Sequence, residues 1–502
     1  MVAPSPCEPI GARAQDIMNR GGPAYARAWH GASAGSLPET IVAVSTAVGV
    51  GAIGIVRTSG PRAVEFGRAL FRRPVGAPVD SAQSHRMWYG QVVDPRSGRE
   101  IDEALMVIMR APGTYTREDV VEIQCHGGPA AQREVLRAFV RLGARLAEPG
   151  EFTRRAFLNG RIDLTQAESV AAVVQARSAS ALRAAVHQLG GGLSHRLSDL
   201  RKGLLSVLAS LEVAIDFTDE DVEETDRSVL VRALDEVAGG LGGLLRTAFL
   251  GRALDEGVRT AIVGKPNVGK SSLLNALLMR ERAIVSEFPG TTRDTVEEFV
   301  EVGGVPLRLV DTAGIRDSTD AVERLGIDRS LQAMEEADLV LAVFDGSSPL
   351  DSHDRNLLLG LDAERTIVVA NKSDLAGPAM MAVFMTELEQ ARTDVAGWTA
   401  CAVSALSGEG LDELRNLVEL RAVGEDGLRL DEPFLATERQ QGLVEQASDA
   451  TRRAMEALQA GASEELICED VREAVGALGR VTGEELMPDL LDEVFRRFCI
   501  GK

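Results

Sequence analysis

An eight-residue segment restricts the fold of this chain more than any other part of its sequence. From Gly264 to Ser271 the residues read GKPNVGKS, which fits the pattern GxxxxGK followed by Ser or Thr. A short apolar run typical of a strand precedes it at 259–263, and a run with helical spacing follows at 270–279. In that setting the glycines let backbone N–H groups face phosphate oxygens, and the helix N-terminus adds positive potential. The segment therefore predicts a P-loop between a strand and a helix of an α/β domain.

Two side chains of this loop have defined expected roles. Lys270 is expected to reach the β- and γ-phosphates of a nucleotide, and the Ser271 hydroxyl is expected to ligate Mg²⁺. Further along the chain, GTTRD at 290–294 precedes a predicted hairpin with a Gly-Gly turn at 303–304. This position after the P-loop helix indicates a first switch segment, in which Thr292 supplies the second hydroxyl ligand of Mg²⁺.

The sequence NKSD at 371–374 predicts the identity of the base, because it ends a strand-like run at 366–370. The Asp374 carboxylate at this place can accept two hydrogen bonds, from N1 and N2 of guanine. Adenine offers no such donors, so the motif selects GTP over ATP. Two other motifs complete the pattern: DTAG at 311–314, with Asp311 near the Mg²⁺ shell, and SAL at 404–406, which resembles the loop that closes over the base.

Together these motifs predict a GTPase domain and a full set of GTP-binding residues. The set is Asn267, Val268, Gly269, Lys270, Ser271, Ser272, Ser286, Thr291, Thr292, Asp311, Thr312, Ala313, Gly314, Asn371, Lys372, Asp374, Ser404, Ala405 and Leu406. The residue after DTAG is Ile315, where Ras carries the glutamine that orients water. An apolar side chain cannot orient water, so we expect Asn267 to hold a monovalent cation beside the phosphates in place of an arginine finger.

The pattern of apolar residues predicts a multidomain protein with mixed α/β and α-helical parts. Residues 1–36 show no period and are expected to be a disordered extension. Residues 37–160 predict an N-terminal α+β domain, with strands at 41–47, 52–57, 102–110 and 119–125 and a helix at 130–142. Residues 161–256 and 422–502 have helical spacing, and 257–421 alternate strands with helices. The economical interpretation is a GTPase domain inserted into a helical domain, whose two stretches pack together.

Composition constrains the setting of the protein. The formal net charge is −21, yet residues 36–160 carry +3 and residues 161–502 carry −25, so a polyanionic partner must use local basic patches. The five cysteines are widely scattered and no pair has CxxC spacing, which favours a reducing compartment and predicts a cytoplasmic protein. No run of 18 or more apolar residues lacks charges, so no membrane span is predicted.

With these motifs established, residues 38–502 resemble the MnmE (TrmE) family of tRNA-modification GTPases. Three segments carry the resemblance: FCIGK at 498–502, where the family has Cys-x-Gly-Lys at its end, PGEFTRRAFLNGR at 149–161, and CHGGP at 125–129. The resemblance implies a homodimer that works with tRNA and an FAD-dependent partner, MnmG (GidA), in a heterotetramer or larger complex. The implied reaction adds an aminomethyl or carboxymethylaminomethyl group to C5 of the tRNA wobble uridine.

The resemblance also implies site residues that the motifs alone do not assign. It implies that the N-terminal domain binds a tetrahydrofolate derivative, in the 5,10-methylene or 5-formyl form, as the one-carbon donor, and that this domain also dimerises. The implied ligand sets are Arg57, Glu122, Arg161 and Lys502 for folate, and Asn267, Ser286, Phe288 and Thr291 for K⁺. Besides Lys270, the implied catalytic residues are Glu323, acting through water, and Cys499, whose thiolate would attack the uridine ring.

Several alternatives remain open from the sequence. The chain is a ribosome-assembly or other RNA-binding GTPase switch if only its GTPase domain is shared with the family, or a folate enzyme with a vestigial GTPase domain. Cys499 is either a nucleophile or a thiol in a flexible tail. Arg154, Arg155 and Arg161 are candidates for tRNA phosphate as well as folate. GVGAIG at 49–54 matches GxGxxG, but the strand-like run after it favours a glycine-rich turn over a dinucleotide site.

Overall fold

The computed structural model describes residues 39–47, 49–73, 83–216, 227–280, 298–310, 334–390, 398–423 and 430–485, with 491, 494–496, 498 and 501. The chain forms two compact units. The first combines Met1–Ala171 with Gly479–Lys502, and the second is Ala172–Leu478. Across the described ranges, no helix has the length and apolar character that crossing a bilayer requires.

The first unit is built on a seven-stranded sheet in the order β3-β4-β5-β6-β2-β1-β7. Neighbouring strands are antiparallel except β1 and β7, which are parallel. The strands are β1 Ile41–Val44, β2 Ile53–Ser59, β3 Phe71–Arg72, β4 Arg86–Val93, β5 Glu100–Met109, β6 Val120–His126 and β7 Arg145–Leu146. The helices of this unit are α1 Ala63–Leu70, α2 Pro129–Arg141 and α3 Glu151–Leu158.

Alternation along the central strand β6 explains how this sheet is covered. Val121, Ile123 and Cys125 are buried in the core with apolar side chains of α1 and α2. Because side chains alternate between the two faces of a strand, Glu122 and Gln124 lie on the opposite face. The sheet therefore has one face covered by α1 and α2. The second face, termed the open face, carries polar side chains and is covered only in part, where Phe152 of α3 packs with Ile41 and Ala43 of β1.

The glycine-rich segment at 49–54 connects β1 to β2 in an antiparallel pair. This confirms the prediction of a glycine-rich turn and excludes a dinucleotide-binding fingerprint, which needs a helix at that point.

The end of the chain packs on the first unit. Gly150, whose φ of +67° is left-handed, lies so close to the chain that an added Cβ would be 2.7 Å from the Phe495 carbonyl oxygen. The Phe495 ring lies 6.4 Å from the Phe157 ring and 5.4 Å from the Phe498 ring, measured between centroids. These contacts hold residues far apart in sequence in one core.

The second unit begins with helices and returns to helices after its sheet. The helices are α4 Leu164–Gln175, which starts in the first unit, α5 Ala179–Leu189, α6 Gly192–Asp216, α7 Arg227–Arg246, α8 Ala248–Glu256, α13 Glu438–Gln459 and α14 Glu464–Thr482, which ends in the first unit. Helices α7 and α13 pack along each other, and Arg472 of α14 pairs with Glu212 of α6 at 2.8 Å. The predicted packing of the two helical stretches is therefore confirmed.

The sheet of the second unit has six strands in the order β13-β12-β11-β8-β10-β9. All pairs are parallel except β9 with β10, a hairpin through Gly303 and Gly304 as predicted. The strands are β8 Val258–Val263, β9 Glu298–Val302, β10 Val305–Val310, β11 Leu339–Asp345, β12 Thr366–Asn371 and β13 Thr399–Ala402. The helices are α9 Lys270–Arg280, α10 Ser352–Leu359, α11 Pro378–Gln390 and α12 Leu411–Val423.

The apolar composition of β11 and β12 explains their central position. Nearly every residue of these strands is buried, as expected for parallel strands covered by helices on both faces. Their carboxyl ends meet the end of β8 at one edge of the sheet, where the P-loop begins. This edge is the ligand-binding edge of open parallel α/β sheets.

Candidate functional site

The P-loop leaves β8 in a conformation that only small residues permit at two points. Gly264 and Gly269 have left-handed φ of +146° and +99°. An added Cβ would lie 2.2 Å from the Val343 carbonyl oxygen at Gly264 and 2.1 Å from Nδ2 of Asn371 at Gly269. Any larger residue at either position would force the loop away from β11 or β12. The glycines of the motif thus bring the loop against both neighbouring strands.

Lys270 lies at the first turn of α9 and bends back over the loop. Its Nζ donates to the carbonyl oxygens of Gly264 at 2.7 Å and Lys265 at 2.8 Å. Burial lowers its pKa from the ordinary lysine value. Two backbone carbonyls thus hold the ammonium in the centre of the loop, where the sequence predicts contact with phosphate.

Lys265 attaches the P-loop to the start of α10. Its Nζ contacts Asp351 at 2.5 Å and Asp354 at 2.8 Å, and these two carboxylates form the capping box of that helix. Burial lowers the pKa of Lys265, but the hydrogen bonds to both carboxylates outweigh it and raise the pKa overall. Because Lys270 binds the Lys265 carbonyl, the cap of α10 indirectly supports the Lys270 side chain.

Asn371 connects three parts of the nucleotide site at the end of β12. Its side chain is buried, its Nδ2 donates to the Val268 carbonyl oxygen at 2.9 Å, and its Oδ1 accepts from the Ala405 backbone N–H at 3.1 Å. The P-loop, the NKSD segment and the SAL loop are therefore held in one arrangement by a single amide.

The Asp374 carboxylate, which the sequence predicts to recognise the base, is oriented by the SAL loop. The buried Ser404 donates from Oγ to Oδ1 of Asp374 at 2.7 Å, and it accepts from the Ser407 backbone N–H at 3.1 Å. Asp374 itself is exposed at this edge of the sheet. A fixed, accessible carboxylate is the geometry that two donors on one edge of guanine require.

Lys372 is held by a carboxylate at the end of the neighbouring strand. Its backbone is left-handed, with φ +63°, and its Nζ lies 2.7 Å from Oδ2 of Asp345. Burial raises the pKa of Asp345, but hydrogen bonds from Lys372 and Ser347 outweigh it and bring the pKa below the ordinary value. Asp345 is therefore charged and positions the Lys372 side chain beside the base site.

Many predicted nucleotide and catalytic residues fall outside the described residues, and their assignments stay predictions. They are Ser286, Phe288, Thr291, Thr292, Asp311, Thr312, Ala313, Gly314, Glu323, Cys499 and Lys502. The described P-loop, NKSD and SAL residues do lie together, with Asn371 joining all three segments.

A second group of predicted residues lies on the open face of the first sheet. Arg57 of β2 and Glu122 of β6 are direct partners across the antiparallel pair, and their side chains form an ion pair of 2.7 Å from Nε to Oε1. Arg57 Nη1 also donates to the Gly501 carbonyl oxygen at 3.5 Å, and Ser45 Oγ donates to the same oxygen at 3.2 Å. The structure thus joins Arg57, Glu122 and the residue that precedes Lys502.

Arg161 lies near this pair, against Tyr115. Its guanidinium carbon is 4.7 Å from the centre of the Tyr115 ring, and its Nη1 donates to the Tyr115 carbonyl oxygen at 3.3 Å. Burial raises the pKa of Tyr115, while Thr153, Arg161 and Arg57 each act to lower it. Both arginines that are predicted to bind folate, Arg57 and Arg161, therefore interact electrostatically with Tyr115.

The described cysteines are unsuited to nucleophilic chemistry. Cys125, Cys401 and Cys468 are buried free thiols. Burial raises the pKa of Cys125 to about 11 and that of Cys401 to about 12, and it raises that of Cys468 as well. All three are protonated at neutral pH, so none supplies a thiolate.

Three features of the site were not assigned from the sequence: the Lys265 contact with α10, Asp345, and the environment of Tyr115. Lys265 contacts residues 86 and 89 positions further along the chain, which only the tertiary fold brings near. Of these three features, only the Lys265 contact with α10 had a signal in the sequence, namely a lysine inside the P-loop.

Comparison with known proteins places both ends of the chain in one family. A family model described as MnmE helical domain matches residues 164–499, and one described as GTP-binding protein TrmE N-terminus matches residues 40–161. The tRNA modification GTPase MnmE of Heliobacterium modesticaldum is 46% identical over 471 residues, which cover 92% of this chain and 99% of that protein. The protein of the same name from Geobacillus kaustophilus is 44% identical over 465 residues, with the same coverage of 92% and 99%.

Two solved structures are similar to part of the chain. The FeoB G-domain from Methanococcus jannaschii is 27% identical and covers 32% of this chain and 96% of its own, with a TM-score of 0.24. An Era structure from Aquifex aeolicus is 28% identical and covers 38% of this chain and 65% of its own, with a TM-score of 0.26.

Proposed function

Because this chain belongs to the MnmE family of tRNA modification GTPases, we propose that its GTP cycle serves one particular reaction. That reaction is the addition of an aminomethyl or carboxymethylaminomethyl group to C5 of the tRNA wobble uridine, with a folate as one-carbon donor. The observation that carries the proposal is the Arg57–Glu122 pair beside Gly501 on the open face of the first sheet. It is a polar site in the same chain as the GTPase domain but formed by other residues.

The GTPase part of the proposal follows from the residues around the P-loop. Lys270 stabilises charge on the β- and γ-phosphates, Asp374 selects guanine, and the hydroxyls of Ser271 and Thr292 are hard oxygen donors of the kind that Mg²⁺ prefers. Asn267 offers an amide oxygen for K⁺, and the residue is exposed and has a left-handed φ of +65°. Ser286, Phe288 and Thr291 complete the proposed K⁺ set. Glu323 positions water, which Ile315 cannot do.

The folate part is supported by the chemistry of the Glu122 carboxylate. A pterin ring carries N–H donors at N3 and at its 2-amino group, the same donor pair that a carboxylate reads on guanine. Glu122 is accessible over 15% of its side chain and Arg57 over 23%, so both are partly open to a ligand. Arg161 and Lys502 supply positive charge for the anionic end of the same molecule.

The homodimer is supported by exposed apolar side chains on this sheet face. Cross-strand pairing places Met87, Tyr89 and Ile53 on the same face as Arg57 and Glu122. Met87 is 50% exposed, Tyr89 54% and Ile53 59%. Large exposed apolar side chains next to a ligand site are typical of an interface. We propose that a second copy of the chain covers them.

The chemical step needs a nucleophile and a redox partner that the GTPase domain does not supply. We assign the nucleophile to Cys499, whose thiolate adds to the uridine ring and makes C5 reactive. The FAD-dependent protein MnmG (GidA) carries the redox step, and the tRNA is bound by both proteins in the cytoplasm. A ribosome-assembly switch, the second candidate, gains no support from the Arg57–Glu122 site.

We predict that transfer of the one-carbon unit depends on GTP in a reaction built from purified components. The assay contains undermodified tRNA, this protein, the flavoprotein, ammonium or glycine as the source of the amine nitrogen, and 5,10-methylenetetrahydrofolate labelled in the methylene carbon. Label should enter the wobble uridine with GTP, and fall to background with a non-hydrolysable analogue or with Glu122→Gln. The substitution Glu134→Gln, at a half-buried position on α2 that pairs with Arg137, is the matched control and should leave incorporation unchanged. Labelling that ignores both GTP and Glu122 would contradict the proposal.

A further inference from the structure

A cleft of about 420 Å³ opens in the first unit beside Arg161. Its walls come from the end of β5, the segment between β5 and β6, and the residues that follow α3. The cleft combines an apolar part, formed by Met109 and Pro112, with the aromatic side of Tyr115 and the side chains of Arg117 and Arg161. It is a partly apolar pocket whose polar groups are mainly cationic.

The backbone at this cleft is strained in the same way as in the nucleotide site. Among the non-glycine residues that the structure describes, four have left-handed φ: Asn267 at 65°, Lys372 at 63°, His85 at 59° and Arg117 at 58°. The first two belong to the GTP site, and the other two line the cleft. Non-glycine residues persist in this conformation when the surrounding structure imposes it, and such residues concentrate at ligand sites. The cleft therefore shares with the predicted nucleotide site a backbone feature that is uncommon in non-glycine residues.

The charges around the cleft favour an anionic ligand. Arg117 donates from Nη1 to the Asn159 carbonyl oxygen at 3.0 Å, and Arg161 donates from Nη1 to the Tyr115 carbonyl oxygen at 3.3 Å. Each guanidinium carries five N–H donors, so one such bond leaves donors to face a ligand. The acidic neighbours Glu118 and Asp119 are engaged in ion pairs with Arg155 and Arg110.

We propose that this cleft binds the glutamate carboxylates of the folate, and that Arg117 sets the preference for the glutamate tail. The inference rests on the proposed folate function and assigns it a second subsite. Glu122 reads the pterin, which is the end of the molecule with paired N–H donors. Tyr115 connects the two ends of the site: it lines the cleft against Arg161 and packs on the cluster that contains Phe152, whose ring centre lies 5.9 Å from the Arg57 guanidinium carbon. The carboxylates at the far end of the ligand then meet two guanidinium groups, which bind carboxylates well.

The shape of the site separates this ligand from an RNA backbone. Phosphates of RNA are spaced along a surface and are met by stripes of basic residues. Arg117 and Arg161 instead line one cleft, together with apolar and aromatic side chains that suit the aminobenzoyl part of a folate. The geometry therefore favours a small molecule with a carboxylate end.

The test compares three probes with the full-length protein in titration calorimetry. The probes are 5-formyltetrahydrofolate with one glutamate, the same folate with three glutamates, and 6-methyltetrahydropterin, which has no tail. The variant Arg117→Gly should weaken binding of both folates by between about tenfold and a hundredfold, the range expected for a hydrogen bond to a charged group. Binding of the tail-free pterin should be unchanged. The melting temperature of the Arg117→Gly protein should rise, because glycine adopts φ near 58° without strain.

Each outcome distinguishes the subsite from the broader proposal. His85→Gly is a second strain-relieving variant and should also raise the melting temperature, while Arg96→Ala, an exposed change away from the cleft, should alter no affinity. If the wild-type protein binds none of the probes, the folate function itself fails. If Arg117→Gly weakens the pterin and both folates equally, or weakens RNA binding while folate affinity is unchanged, the subsite assignment is overturned.

Discussion

Replacing Asp374 by Asn should exchange the base specificity of this GTPase. Asp374 accepts two guanine donors in our account, and each hydrogen bond to a charged group contributes about 1.5–3 kcal/mol. The Asn oxygen still accepts from N1–H, but the bond to the guanine 2-amino group is lost, so GTP affinity should fall by roughly one to two orders of magnitude. The Asn side chain accepts from N1–H through its oxygen and donates through its NH₂ to the carbonyl at C2 of xanthine. Affinity for XTP should rise correspondingly, as measured with fluorescent analogues of both nucleotides.

The surroundings of Asp374 make this exchange a sharp test. Ser404 holds one carboxylate oxygen at 2.7 Å, and an Asn oxygen can accept the same hydrogen bond, so the variant side chain should keep its orientation. Asp449→Asn, on the exposed surface of α13, is the matched control and should bind GTP as the wild type does. If Asp374→Asn binds GTP normally, or gains nothing for XTP, another group reads the base.

GTP turnover should be at least about tenfold faster in K⁺ than in Na⁺. An arginine finger, which the cation would replace, accelerates turnover about 10³–10⁵-fold, so tenfold is a modest fraction of that effect. Ile315 cannot orient water, so catalysis depends on charge placed beside the phosphates. Asn267→Ala removes the amide oxygen proposed to hold the cation, and the two salts should then give equal rates. The measurement is steady-state phosphate release at matched ionic strength.

A second substitution separates the amide from the backbone at this position. Ala at φ +65° is strained, whereas Gly adopts that conformation freely. Asn267→Gly should therefore lose the K⁺ preference as completely as Asn267→Ala while keeping the shape of the P-loop. Equal rates of the wild-type protein in both salts would contradict the proposed role of the cation, and a preference retained by Asn267→Gly would exclude Asn267 as its ligand.

The parts of the structure that the sequence predicted are those set by local patterns. The P-loop, the strand before NKSD and the hairpin at Gly303 and Gly304 depend on neighbouring residues, and each appears where it was predicted. Strand β4, at Arg86–Val93, was not predicted. It buries Trp88 and Val92 on one face but exposes Met87 and Tyr89 on the other, so large apolar residues on both faces conceal the alternation.

The parts that the sequence could not predict depend on distant residues. Lys265 pairs with carboxylates at the cap of α10, and Ser404 orients a carboxylate 30 positions away. Arg117 gives no signal in the sequence, because its left-handed backbone and its place in the cleft arise only from the fold. The family resemblance named Arg57 and Glu122, and their antiparallel pairing explains why these two residues meet.

The hairpin next to the predicted first switch also contacts the helices, which the sequence did not indicate. The Arg177 guanidinium lies 3.6 Å from the centre of the Phe299 ring in β9, and Ser180 of α5 donates a hydrogen bond to the Gly304 carbonyl oxygen. These contacts join the strand that follows the switch segment to the helical part of the same unit.

The central claim is that GTP hydrolysis by this protein drives modification of the tRNA wobble uridine. Mass spectrometry of wobble nucleosides from a strain lacking the protein tests it most directly. We expect the aminomethyl-type groups at C5 to be absent from this strain and to return with the wild-type gene. They should not return with Lys270→Ala or with Cys499→Ser. The Cys499→Ser protein should still hydrolyse GTP. Cys468→Ala, which changes a buried thiol, should restore them. Unchanged wobble nucleosides in the deletion strain would contradict the proposed role of this protein in tRNA modification.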